Sequence, residues 1–273
     1  MRLARLLGPR RVPGSPASVS VPRPYRGQPL TCVDSDAGPL WFQASDGVML
    51  PYVTQNHTWD PDVGGLLTAL VHPGATFVDI GANVGYFSRL IATRCAPSAI
   101  HAFEPHPDLV DVLSLNVWGL TPAVTVWPVA LGDGNGTVTL ESAEHNIGDT
   151  RVFAASTGPA SMIAAVARLD DLLSGPVDVV KIDVQGFETE VLRGMQRVIV
   201  DNPTIKIAVE FWPGALRERG QDPRSVLAQY RAVGFETNLL RGSAPHAADA
   251  DEILRFCESA GPNGQANLLL AKP

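Results

Sequence analysis

The chain has 273 residues, 45% of them hydrophobic, with a formal net charge of -7, enough for one substantial core and short for two full domains. With no general excess of positive charge to hold a phosphate backbone, a nucleic-acid partner is disfavoured. No apolar run approaches the roughly 18 to 20 residues needed to cross a bilayer, so no membrane insertion is expected. Cys32, Cys95 and Cys257 lie far apart and form no C-x-x-C pair, which argues against a zinc site or a disulfide framework and for a reducing, cytoplasmic setting.

Residues 1–30 form a proline-rich tail carrying Arg2, Arg5, Arg10, Arg11, Arg23 and Arg26 without any acid. The apolar stretch Leu3 to Leu7 is interrupted by Arg5 and is too short for a secretory signal, so a solvated arm is expected. Residues 31–75 read as a small N-terminal cap: a short hairpin over Pro39 to Phe42 and Gly47 to Tyr52, then a helix over Asp60 to Val71 with Val63, Leu66, Leu67 and Leu70 on one face.

From Thr76 to the end at 273, short apolar runs alternate with helical patterns, the signature of a parallel sheet built from βαβ units. The expected fold is α/β, a Rossmann-like, doubly wound and mostly parallel seven-stranded sheet with a small N-terminal appendage. Strands are expected at Thr76–Ile80, Ala99–Glu104, Val124–Ala130, Val177–Asp183, Ile205–Phe211, Phe235–Leu240 and Ala266–Ala271. Helices are expected over Val84–Arg94, Pro107–Trp118, Thr189–Val200, Pro223–Val233 and Ala250–Glu258, each bounded by Gly, Pro or Asn. Between residues 132 and 171 the alternation is interrupted by an insertion with extra strands at Gly136–Leu140 and Ser161–Ala167, placed to overhang a ligand crevice.

Phe77-Val-Asp-Ile-Gly-Ala-Asn-Val-Gly85 runs from an apolar strand through a glycine turn into a helix. Gly81 permits close approach of a ligand to the backbone, and Gly85 allows tight entry to the helix. Asp79 at the end of a buried strand is costly unless it is paired or meets a cation. A dinucleotide fold would prefer G-x-G-x-x-G facing a diphosphate, which Asp79 would repel. That counts against a dehydrogenase binding NAD. Glu104 falls 23 residues beyond Gly81, near the spacing at which an acid accepts hydrogen bonds from ribose hydroxyls. A nucleoside cofactor bearing an ammonium group fits this pair of acids.

These blocks, with Phe103-Glu-Pro-His-Pro107, Val129-Ala-Leu-Gly-Asp133 and Val180-Lys-Ile-Asp-Val-Gln-Gly-Phe-Glu188, resemble the FkbM family of S-adenosylmethionine methyltransferases over roughly residues 54–273. The resemblance implies the class I methyltransferase fold and S-adenosyl-L-methionine as cofactor. It implies that Asp79, Gly81 and Gly85 hold the methionine moiety, that Glu104 holds the ribose and that Ala130 and Leu131 meet the adenine edge, with Asn83 and Asn116 in support. Gln185 departs from the family, which often has glutamate in this block.

The activity implied is O-methylation of a small-molecule or oligosaccharide acceptor. A saccharide hydroxyl, as in a methylated mannoside, is preferred to a polyketide-type metabolite; a noncatalytic S-adenosylmethionine-binding protein is the rival from another class. A homodimer is compatible with either. An alcohol must lose its proton to become a good nucleophile. His145, in a polar loop after the third core strand, is the expected catalytic base, with His57 in reserve at the substrate site. Asp183 and Glu210 end the fourth and fifth strands on the ligand side of the sheet. They are expected to shape the acceptor site, Asp183 with a catalytic role, or to hold a divalent cation such as Mg²⁺ that polarises the acceptor oxygen. Trp212 offers an aromatic face for a sugar. Arg151, Lys181 and Arg217 could neutralise acceptor charge, with surface solvation as their default.

Overall fold

The computed structural model describes residues 10–11, 29–143, 146–153 and 161–273, with side chains described over 29–140 and 161–273. In chain order the N-terminal part contains β1 (Arg10–Arg11), β2 (Leu30–Ser35), β3 (Gly38–Gln43), α1 (Met49–Asn56) and α2 (Pro61–Leu70). There follow β4 (Thr76–Ile80), α3 (Tyr86–Arg94), β5 (Ala99–Phe103), α4 (Pro107–Asn116), β6 (Val124–Trp127), β7 (Ala130–Leu131), β8 (Gly136–Ala143), β9 (Asn146–Phe153) and β10 (Ser161–Ala167). The remainder is α5 (Leu169–Leu172), β11 (Val179–Ile182), α6 (Glu188–Arg193), α7 (Gln196–Asp201), β12 (Lys206–Phe211), α8 (Pro213–Glu218), α9 (Pro223–Ala232), β13 (Glu236–Arg241), β14 (Ala244–Ala247), α10 (Ala250–Ser259) and β15 (Ala266–Ala271).

All seven expected core strands are present, in the order β6-β5-β4-β11-β12-β15-β13. The first five run parallel, and β15 enters antiparallel between β12 and β13. Two short edge strands complete the sheet: Arg10–Arg11 from the tail pairs with β6, and β14 pairs with β13. The chain winds outward from β4 through β5 to β6, then returns to lay β11 on the other side of β4. That reversal opens a crevice beyond the carboxyl ends of β4 and β11.

Every residue of β4 and β11 is buried, because helices cover both faces of the sheet. The pleat sends neighbours to opposite cores. Phe77 packs with Leu67, Leu90 and Leu113 from α2, α3 and α4, whereas Val78 and Ile80 pack with Val191, Val198 and Leu227 from α6, α7 and α9. Helix starts follow their caps: Asp60, His106, Asp222 and Asp249 each accept a backbone N–H in the first turn of α2, α4, α9 and α10.

Three expectations about elements are corrected, and one helix is added to them. The hairpin pairs β2 with β3, and Gly47 to Tyr52 instead leads into α1, whose first turn is held by Asp46 accepting the Met49 N–H at 2.8 Å. The third core strand stops at Trp127, since Pro128 has no N–H for the ladder; Ala130–Leu131 leaves to pair with β10 in a separate four-stranded sheet, order β7-β10-β8-β9. The helix expected over Thr189–Val200 is two helices, broken at Gly194, where a Cβ would overlap the Gly132 carbonyl. An additional helix, α8, follows Trp212.

Candidate active site

A cavity of about 310 Å³ occupies the crevice. One wall comes from the β4, β5 and β7 ends and the first turn of α4: Gly81, Asn83, Glu104, Leu109, Ala130 and Leu131. The other comes from the β11 and β12 ends with Lys181, Asp183, Gln185, Glu210 and Trp212, and the N-terminal part closes the mouth with Met49, Trp59 and Asp60. Sheet order keeps the two walls on opposite sides of the β4–β11 junction.

At that junction the two strand-end turns touch. The Asp183 N–H donates to the Ile80 carbonyl at 3.1 Å, and a Cβ at Gly81, whose φ is +73°, would overlap the Asp183 carbonyl oxygen. Only glycine tolerates both that conformation and that approach. Gly85, at φ +87°, precedes α3, and a Cβ there would strike Leu113.

Asp79 and Lys181 are register partners on β4 and β11. The Asp79 carboxylate is wholly buried and does not line the cavity; Oδ2 accepts from the Ser88 hydroxyl at 2.7 Å, and Oδ1 lies 3.6 Å from Lys181 Nζ. Burial pushes its carboxyl up, against the opposing pull of Lys181. Its cation is thus a lysine of the chain, which corrects the expectation that Asp79 itself meets a ligand ammonium. Lys181, 5% exposed, also donates to the Gly81 carbonyl at 3.1 Å and lies 3.3 Å from Asp183 Oδ2. Burial alone would depress its ammonium, but Asp183 and Asp79 together hold it above the usual lysine value. Surface solvation as its default is overturned: a lone lysine inside the fully buried run Val179-Val-Lys-Ile182 is the signal that reveals it.

Glu104 reaches the cavity. Oε2 accepts the Asn83 N–H and Oε1 the His106 N–H, each at 2.9 Å, so each oxygen retains capacity for a further donor. Burial pushes this carboxyl up to about 7. Asn83 contributes that backbone N–H at φ +50°, its own side chain accepting from Val84 N–H at 2.7 Å. Asn116 lies elsewhere: its Oδ1 accepts from Trp41 N–H and its Nδ2 donates to the Trp41 and Val84 carbonyls at 2.9 and 2.8 Å. It fastens β3 and the α3 entry to α4 and does not line the cavity.

On the opposite wall, Gln185 Nε2 donates to Asp183 Oδ1 at 2.9 Å and to Glu210 Oε2 at 3.0 Å. Gln185 holds this position at φ +56°. A neutral amide therefore stands between the two carboxylates proposed for a metal, and Lys181 supplies the positive charge beside them. Among the described residues no group of three or more His, Cys, Asp or Glu side chains is disposed to hold a metal ion. The donor set does not fit one, because an N–H₂ donor points where a cation would sit. Burial, then the like charges of Asp183 and Glu188, pushes the Glu210 carboxyl well above the usual range.

His57 is exposed at the end of α1, its Nδ1 3.1 Å from the Asp34 carbonyl, and it does not line the cavity. His145 lies outside the described residues, as does the Arg151 side chain. Arg217 lies in the last turn of α8, away from the lining. Sequence reasoning missed the mouth: Trp59 and Asp60, with Met49 on α1, bring the N-terminal part to the cavity. Tyr52 packs edge-on against Trp59, ring centroids 5.3 Å apart. No helix among the described residues is long and apolar enough to cross a membrane.

A doubly wound sheet with a glycine turn, a strand-end acid and a crevice beyond the strand ends is the architecture of the class I methyltransferase fold. Residues 79–261 match the model of the methyltransferase FkbM domain, and the chain belongs to that family. It is 29% identical over 143 residues to the hexuronic acid methyltransferase AglP of Haloferax volcanii, covering 51% of this chain and 58% of that protein. It is 28% identical over 179 residues to the methyltransferase sdnD of Sordaria araneosa, covering 51% of this chain and 68% of that protein. The crystal structure of methyltransferase FkbM from Methylobacillus flagellatus KT aligns with a TM-score of 0.47 and 15% identity over 72% of this chain and 43% of that one. The chain thus spans little more than half the length of the AglP protein it matches.

Proposed function

We propose that the protein is an S-adenosylmethionine-dependent O-methyltransferase acting on a saccharide hydroxyl. The observation that carries the cofactor is Glu104: a buried carboxylate, fixed by two backbone N–H groups and facing the cavity beside the Gly81 turn. Such an acid suits the vicinal hydroxyls of a ribose. Leu109, Ala130 and Leu131 offer an apolar slot for the adenine, and Asp183, adjoining Gly81, is the acid placed to meet the ligand's ammonium. S-adenosylmethionine would supply a methyl group bound to a positively charged sulfur that is itself the leaving group.

The chain's own contribution is placement, exclusion of water and removal of a proton. Glu210 faces the acceptor wall with a raised proton affinity and makes one bond, to Gln185, among the described residues. In that role it would accept the acceptor's hydroxyl proton as the oxygen takes the methyl group, with the sulfur of the bound donor keeping the electron pair of the bond that is broken. Trp59 and Trp212 provide faces against which a sugar ring can lie. The saccharide assignment draws also on the likeness to a hexuronic acid methyltransferase.

Calorimetry of the full chain with S-adenosylhomocysteine and with NAD tests this reading. Saturable binding of the former alone is expected, and replacing Glu104 with alanine should weaken it by roughly 10- to 100-fold, the worth of one or two hydrogen bonds to a charged group. Absence of affinity for S-adenosylhomocysteine, or a preference for NAD, overturns it.

A further inference from the structure

The turn from β11 into α6 carries Asp183 and Gln185 into the crevice, and a carboxylate outside the cavity holds it. Glu188 is 2% exposed and does not line the cavity. Its Oε1 accepts the Gly186 N–H at 3.0 Å and the Val184 N–H at 3.3 Å. Those two N–H groups belong to the peptide units that directly follow Gln185 and Asp183, so a single oxygen fixes the planes of both.

The backbone between them needs such a hold. Gln185 and Gly186 lie in the left-handed region at φ +56° and +98°, where a residue with a Cβ persists only if its surroundings over-determine it. From this backbone the Gln185 amide nitrogen donates to Asp183 Oδ1 at 2.9 Å and to Glu210 Oε2 at 3.0 Å. Removing the Glu188 oxygen strands the Gly186 N–H in a buried turn, and the peptide must rotate to find another acceptor. A displaced Gln185 cannot keep both of its bonds, because each already spans about 3 Å. Resting on the cofactor and base roles proposed above, we propose that Glu188 is a positioning residue for methyl transfer. It acts through Gln185 to set Asp183 toward the cofactor's ammonium and Glu210 toward the acceptor's hydroxyl.

Two variants of the full chain separate the hydrogen-bond acceptor from the charge. Glu188→Gln keeps an oxygen for the two N–H groups and loses the charge; Glu188→Met loses both and fills a similar volume. In calorimetry with S-adenosylhomocysteine, Glu188→Gln should stay within about threefold of the natural protein, and Glu188→Met should weaken about tenfold or more. A merely structural role would lower the melting temperature of Glu188→Met and leave the folded protein's affinity alone, so equal affinity of the two variants overturns the inference. Gln185→Ala should reproduce the weakened affinity, and adding Glu188→Met to it should bring no further loss. Natural affinity in Gln185→Ala overturns the inference even if Glu188→Met does not fold. Where a methyl glycoside of the gluco, galacto or manno series accepts the methyl group, kcat should fall at least about tenfold in Glu188→Met and be retained in Glu188→Gln; equal kcat in the two overturns it as well. If none of these glycosides reacts while S-adenosylhomocysteine binds, the saccharide reading fails and the binding comparison alone decides the role of Glu188. Absence of binding by the natural protein removes the cofactor reading and this inference with it.

Discussion

Gln185 gathers Asp183 and Glu210 into one unit by donating to both from a single amide nitrogen. Converting it to glutamate removes those two bonds and sets a third carboxylate against two others. A hydrogen bond to a charged group is worth about 1.5 to 3 kcal/mol, so Gln185→Glu should destabilise the protein by roughly 2 to 4 kcal/mol. A divalent cation would then have three oxygen ligands to bind. In thermal denaturation Mg²⁺ should raise the melting temperature of the variant and leave the natural protein unmoved; a shift in the natural protein that is reversed by chelator would restore metal binding to this site.

Glu210 bears the second residue-scale test. A base works only when deprotonated, and a raised proton affinity moves the rising limb of the rate profile toward higher pH. Turnover should therefore increase with pH through that elevated value. Glu210→Gln should lose about 10² to 10⁴-fold in kcat and the limb with it, measured by methyl transfer at saturating acceptor. An unaltered limb in the variant would return the base role to His145. Of this wall, Asp183, Glu210 and Trp212 were legible because strand ends on the ligand side follow from the alternation of elements. The roles of Lys181 and Gln185 depend on strand register and a left-handed turn, which a spacing pattern does not encode.

At the scale of elements, periodicity and punctuation identified the core strands and the capped helices, since each needs local information alone. The misread segments turn on long-range contacts. Gly47 to Tyr52 carries enough apolar residues to pass for a strand, but Leu30 to Ser35 takes the place beside β3. Gly194 breaks a helix because a distant carbonyl approaches it. Asn116 is the clearest instance: its polar atoms bind residues 75 and 32 positions away, a role that sequence spacing cannot separate from cofactor support. Asn116→Ala strands three backbone groups, two on half-buried Trp41 and one on buried Val84, and should cost about 3 kcal/mol in denaturant unfolding, while the folded variant keeps its affinity for S-adenosylhomocysteine within about threefold. A collapse in affinity without loss of stability would place Asn116 at the cofactor instead.

Over the whole molecule, the crevice gathers more acid than it neutralises. Burial raises the carboxyls of Asp60, Asp79, Glu104, Glu188 and Glu210, with Glu104 and Glu188 each reaching about 7. Glu188 is held at the α6 start, where Oε1 accepts the Gly186 N–H at 3.0 Å. A carboxyl whose proton affinity is higher folded than unfolded contributes stability that is fully present below its unfolded value. That stability is lost as pH rises through the folded one. For Glu104 and Glu188 this window runs from about 4.5 to about 7, and the others add in the same direction. The ligand-free protein should accordingly melt at a lower temperature at pH 8 than at pH 5.5, by differential scanning calorimetry at constant ionic strength. The double variant Glu104→Gln, Glu188→Gln should flatten that slope, because an amide carries no proton to lose. A melting temperature that climbs between pH 5.5 and 8 would mean that these carboxylates are better compensated than their burial implies, with Lys181 and the strand-end N–H groups outweighing desolvation.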